Sequence, residues 1–146
     1  MQIHPARSLR SPSGVAVLID SDLVPLVLRL WALGLRTKAS CQDFGESLGG
    51  SEPGLPPSDQ RWVAFSTGRV WLKMRPDHAE RLIGVLGTDR ELRPALCEWG
   101  RDDSWICVRP VTPDLRGGPP RTGDTHLFFP REHLRRVVEI LDRHQR

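Results

Sequence analysis

Asp22-Leu23-Val24-Pro25-Leu26-Val27-Leu28-Arg29-Leu30-Trp31-Ala32-Leu33-Gly34 is the stretch on which the fold turns. Asp22 is read as an N-cap, because its carboxylate can accept from the free N–H groups of a first helical turn. That places Pro25 in the first turn, where a missing N–H costs nothing. Leu23, Leu26, Val27, Leu30, Trp31 and Leu33 then cover more than one stripe of a helix. Gly34 supplies a left-handed stop. A helix this apolar must be covered on several sides. It is expected to be the most buried helix and the centre of the core.

Upstream, residues 15–19 form a short apolar run that reads as a strand. Residues 1–14 contain Pro5, Pro12 and Gly14, with Arg7 and Arg10 between them, and read as a flexible arm. Downstream, residues 35–40 read as a strand. Residues 41–60 form a long polar loop carrying Gly49, Gly50, Pro53, Pro56 and Pro57. Within it, residues 45–59 have only Leu48 and Leu55 as apolar anchors, which favours poor order. Residues 62–66 and 70–74 read as a hairpin across Thr67, Gly68 and Arg69, with Val70, Leu72 and Met74 on one face. Pro76 opens a helix in which Ala79, Leu82, Ile83 and Leu86 keep helical spacing, and Gly87 ends it. Residues 96–99 and 105–108 read as a second hairpin. A second long loop covers 110–124, and 126–129 is a last strand. Pro130 opens a final helix with the stripe Leu134, Val137, Val138 and Leu141.

A strand, a proline and an amphipathic helix thus follow one another twice, around Pro76 and around Pro130, which suggests structural pseudo-symmetry. Strands and helices interleave without a regular βαβ repeat. The expected class is α+β: a mostly antiparallel sheet with about three helices packed on it, forming one domain over residues 15–146.

Bulk composition narrows the function classes. The chain has 146 residues, 38% hydrophobic and 27% charged, enough apolar material for one core. Its net charge of +3 and pI of about 9.1 are a mild basic bias. Basic residues concentrate in the C-terminal segment, at Arg131, Arg135, Arg136, Arg143 and Arg146, and acids offset part of that. The three cysteines include no C-x-x-C pair, and no secretion signal opens the chain. The cytoplasm, reduced thiols and no membrane span are therefore expected.

The segment richest in chemistry is Arg36, Lys38, Ser40, Cys41, Gln42 and Asp43, with Glu46 just beyond. A strand leaves a buried helix there and ends in polar groups, a placement suited to ligand binding. Arg36 and Lys38 share one strand face and can hold an anion or lower a thiol pKa. The alternative is a plain turn with Cys41 as a small buried hydrophobe. Cys41, Cys97, Cys107, His126 and His133 have zinc-binding chemistry, but their spacing pairs none of them as a structural zinc site does. No metal or cofactor is assigned on that basis. Cys97 and Cys107 are expected to face each other as thiols across the second hairpin. Trp99 and Trp105, flanking its turn, are available for stacking or for a cross-strand pair.

Ile19-Asp20, Leu23-Val24-Pro25-Leu26, Gly34-Leu35-Arg36-Thr37 and Ser40-Cys41-Gln42 together resemble a pattern in small uncharacterised bacterial proteins, many from high-GC actinobacteria. Their form is an Asp before a helix, then Gly-Ile-x-Thr, then Ser-Cys-Gln-Gly. Here Leu35 replaces the Ile and Asp43 the last Gly. The resemblance covers about the first half of the chain and implies no particular activity. More distantly, the Thr-x-x-Ser-Cys run resembles the Ser-Cys motif of the wybutosine tRNA methyltransferases. Ala39, Gln42 and Asp43 depart from that motif, so its cofactor and activity are not carried over.

Two functional readings follow. The first is a non-enzymatic binding or regulatory module of an intracellular bacterial complex, engaging a protein partner through the sheet edge and the Cys41 loop. The second is a small enzyme acting on RNA or a nucleotide, with its site at Ser40-Cys41-Gln42-Asp43. A weaker third reading is electrostatic nucleic-acid binding by the last helix and the N-terminal arm.

Overall fold

Alternation along residues 69–74 sets the sheet. Val70, Leu72 and Met74 point to one side and are fully buried, while Arg69, Trp71 and Lys73 between them are half-buried. The computed structural model describes residues 4–45 and 65–145. Their strands and helices in chain order are β1 (Ala6–Arg10), β2 (Ala16–Asp20), α1 (Val24–Ala32), β3 (Thr37–Cys41), β4 (Arg69–Met74), α2 (Pro76–Leu86), α3 (Arg93–Cys97), β5 (Ile106–Val108), β6 (Val111–Thr112), β7 (Arg121–Thr122), β8 (Thr125–Pro130) and α4 (Leu134–His144). Two 3-10 turns, Ser21–Leu23 and Arg131–His133, lead into α1 and α4.

The main sheet has the order β3-β4-β8-β5, and every pair in it is antiparallel. Val70 sits opposite Phe129 and Leu72 opposite Leu127, so the central pair buries four apolar side chains together. Helices α1, α2 and α4 add Leu26, Leu30, Leu82, Leu86, Val137, Ile140 and Leu141 to the same apolar cluster. This is an α+β fold, mostly antiparallel sheet with helices packed on it. Aromatic side chains meet elsewhere on the sheet. Phe44 lies 4.8 Å from Trp71 and 5.6 Å from Phe128, measured between ring centres.

Helix α1 is the most buried of the four described helices. It buries Val24, Leu26, Val27 and Leu30 in nine residues, against three in eleven for α2 and for α4. It is not covered all round, since Pro25, Leu28 and Ala32 are exposed. Its end is a Schellman motif. Gly34 adopts φ +76°, the Leu35 N–H donates to Leu30 O at 2.8 Å, and the Gly34 N–H donates to Trp31 O at 2.9 Å. Leu35 therefore belongs to the helix stop, and β3 begins at Thr37 rather than at residue 35.

The strand-to-helix unit occurs three times. Asp20, Arg75 and Pro130 leave their strands with φ/ψ of −52°/133°, −58°/146° and −57°/133°. An acidic residue stands two positions later in each: Asp22, Asp77 and Glu132. The Pro76 and Pro130 units expected from sequence are adjacent in space, because β4 pairs with β8 and α2 packs on α4. The third unit, β2 and α1, lacks the proline signal. It matches the β8–α4 unit closely, down to the intervening 3-10 turn.

Several sequence expectations are corrected. Asp22 does not cap α1. The Val24 N–H is taken by Ser21 O within the 3-10 turn, and the Asp22 carboxylate pairs with Arg131 at 2.8 Å. The N-terminal arm is not wholly free. Ala6–Arg10 pairs with Ala16–Asp20 through a tight turn in which Gly14 has φ +87°. Leu9, opposite Val17, packs against the core and anchors it. The strand expected at 62–66 is helical at Phe65 and Ser66, and 62–64 lie outside the described residues. The second hairpin does not form. Pro94 stands in the first turn of α3, and β5 pairs with β8 instead. Cys97 and Cys107 are free exposed thiols. Within 110–124, β6 and β7 form a two-residue ladder. The expectation for 45–59 falls almost wholly outside the described residues. No helix of the described residues is long and apolar enough to cross a membrane.

Candidate functional site

Strands β2 and β3 meet at one end and part at the other. At the junction the Gln42 N–H donates to Asp20 Oδ2 at 2.9 Å, and the Asp22 N–H donates to Gln42 Oε1 at 3.2 Å. Away from it the strands belong to separate sheets, and among the described residues β2 pairs only with β1 and β3 only with β4. The cleft between them has a volume of about 360 Å³, at the small end of the range of small-ligand pockets. One wall is Val17, Leu18 and Ile19 of the hairpin, and the other runs from Arg36 to Ser40. Consecutive residues on both walls mean that two strand edges face each other across the gap.

The walls are apolar on the hairpin side and basic on the other. Val15, just before β2, is 59% and Leu18, within it, 72% exposed. Arg36, Lys38 and Arg75 line the cleft, and no acidic residue among the described ones does. Lys38 reaches out to Asp124 at 2.9 Å and Arg75 to Asp77 at 3.1 Å. Arg36 has no ion pair among the described residues.

The residues singled out in the sequence thus divide into two groups. Arg36, Lys38 and Ser40 line the cleft along the length of β3. Cys41, Gln42 and Asp43 are buried below its closed end, 7%, 5% and 2% exposed. Asp43 Oδ2 accepts from the Gly68 N–H at 3.0 Å and lies 3.6 Å from Arg131. Glu46 lies outside the described residues.

Sequence reading missed His4 and Asp20. His4 Nδ1 lies 3.3 Å from Asp20 Oδ2 and 3.8 Å from Cys41 Sγ, and His4 and Cys41 are both buried. The pairing of β1 with β2 carries His4, just ahead of β1, to the ends of β2 and β3. A Cys-His-Asp relay needs the thiol and the carboxylate on opposite ring nitrogens, so that one proton can be taken while the other is held. Here both converge on Nδ1.

A second concavity of about 360 Å³ lies among α2, α3, β5 and β8. It is lined by Ile83, Leu96, Trp105 and Leu127, with Cys107 and Thr125. Trp105 stacks on Phe129 at 4.2 Å and donates from Nε1 to His133 Nδ1 at 3.0 Å, so it serves packing. Partial burial raises the Cys107 thiol pKa, with Arg109 acting in the opposite direction.

The basic residues of the C-terminal helix are paired. Arg131 meets Asp22, Arg135 meets Glu139, and Arg136 and Arg143 both meet Asp89. Comparison with protein-family models, with curated proteins and with solved structures finds no match for the chain.

Proposed function

We propose that this chain is a binding module that takes an extended, acidic peptide segment as an added strand in the cleft between β2 and β3. The observation that carries the reading is the pair of strand edges across the cleft, with no backbone hydrogen bond between them among the described residues. Edge N–H and C=O groups are a ready template for β-strand addition, in which main-chain bonds give affinity and flanking side chains give selectivity. Arg36, Lys38 and Arg75, with no acid on the walls among the described residues, favour carboxylates. Val15 and Leu18 offer the incoming strand apolar contact on the opposite side.

Fluorescence polarisation with a blocked heptapeptide alternating glutamate and valine tests this. Micromolar binding is expected. The double variant Arg36→Glu, Arg75→Glu should weaken it about tenfold or more. Equal binding of a lysine and valine heptapeptide, or no effect of the double variant, would contradict the reading.

A further inference from the structure

His4, Asp20 and Cys41 lie where three separate pieces of chain converge: the residues before β1, the end of β2 and the end of β3. Their donor atoms all lie within 4.8 Å of one another. We infer that His4 Nδ1, Asp20 Oδ2 and Cys41 Sγ form a binding site for a divalent, borderline-soft cation of the zinc class.

The geometry supports this in two ways. Zinc bonds of ~2.0 Å to nitrogen and oxygen and ~2.3 Å to sulfur imply tetrahedral edges of about 3.3 Å (N to O) and about 3.6 Å (N to S). The corresponding separations here are 3.3 Å and 3.8 Å, and the third, oxygen to sulfur, is within 4.8 Å, so that edge closes to about 3.6 Å on binding. Both contacts meet at one ring nitrogen, so a cation placed between the three donor atoms reaches all of them. The carboxylate is also oriented from behind, since the Gln42 N–H donates to the same Asp20 oxygen at 2.9 Å. Metal-binding carboxylates are commonly held by such outer hydrogen bonds.

Thiolate, imidazole and carboxylate together select zinc over calcium or magnesium, which prefer all-oxygen cages. Binding releases the Cys41 thiol proton to solvent, and the sulfur then bonds the ion as thiolate. Three protein donors leave one tetrahedral position for water or another group. Asp20, 20% exposed on its side chain, gives the ion its way in. The ion would tie the segment before β1 to the closed end of the cleft. The site does not depend on what the cleft binds.

The test uses the full chain, stripped with a chelator and then titrated with zinc chloride, with magnesium chloride as the control. One zinc per chain by native mass spectrometry is expected. The thermal midpoint should rise by about 5 °C or more at saturating zinc. Cobalt in place of zinc should give thiolate-to-metal charge-transfer absorption. Cys41→Ala and His4→Gln should each weaken uptake by about 100-fold or more. The double variant Cys97→Ser, Cys107→Ser should keep the whole signal, and it decides the matter even if the Cys41 variant folds poorly. No zinc uptake at sub-millimolar concentration, or a cobalt–thiolate band lost in the Cys97, Cys107 double variant, would overturn the inference.

Discussion

Asp89 shows how one side chain can hold two helices. Its carboxylate is buried, accepts from Arg136 at 2.6 Å and from the Leu92 N–H at 3.0 Å, and lies 3.5 Å from Arg143. The bond from Arg136 is the main reason that its pKa falls below the ordinary 3.8. A carboxylate with a lowered folded-state pKa adds stability above its unfolded value and loses it as pH falls through the folded one. Asp89→Asn is therefore expected to cost about 2 kcal/mol at neutral pH. The gap from the parent should close at pH values well below 3.8, as urea unfolding across the acid range would show. A gap that stays constant with pH would mean packing rather than charge. Gly45 makes a different demand. A Cβ there would fall on the Thr67 backbone, so Gly45→Ala should cost about 2 kcal/mol or more through overpacking. An unchanged thermal midpoint would rule out that close approach.

At the level of elements, what sequence conveyed depended on how local the determining physics was. Val70, Leu72 and Met74 alternate within six residues, and Gly34 stops α1 by its own backbone preference, so both were legible. The N-terminal strand was not. Ala6–Arg10 has only Leu9 as an apolar anchor and becomes a strand by pairing with β2, and prolines on either side concealed it. Residues 96–99 carried strand-like composition, yet Pro94 and packing against the sheet made residues 93–97 a helix. The candidate site followed the same rule. Arg36, Lys38 and Ser40 were readable as one end of a strand. His4 joins Asp20 and Cys41 only through the β1–β2 hairpin, which no local pattern announced. The turn of that hairpin can be tested directly. Gly14 has φ +87°, so Gly14→Val should cost about 1–2 kcal/mol. Hydrogen exchange should quicken at residues 6–10 and 16–20 together. Fast exchange at 6–10 in the parent protein would contradict the pairing.

For the molecule as a whole, three strand-to-helix units share one core, and β3, at the end of the four-stranded sheet, has one edge with no paired strand among the described residues. Proteins usually cover, charge or shorten such edges. Here the edge carries Arg36 and Lys38 and faces a second edge, that of β2, across a cleft. A cleft bounded by two edges suits a strand, and its basic wall suits an acidic one. Amide chemical-shift mapping with the blocked glutamate and valine heptapeptide tests this most directly. The account predicts that the largest shifts, and newly slowed amide exchange, appear at residues 16–19 and 37–40. Binding that moves neither set, or that survives N-methylation of alternate peptide amides, would contradict it.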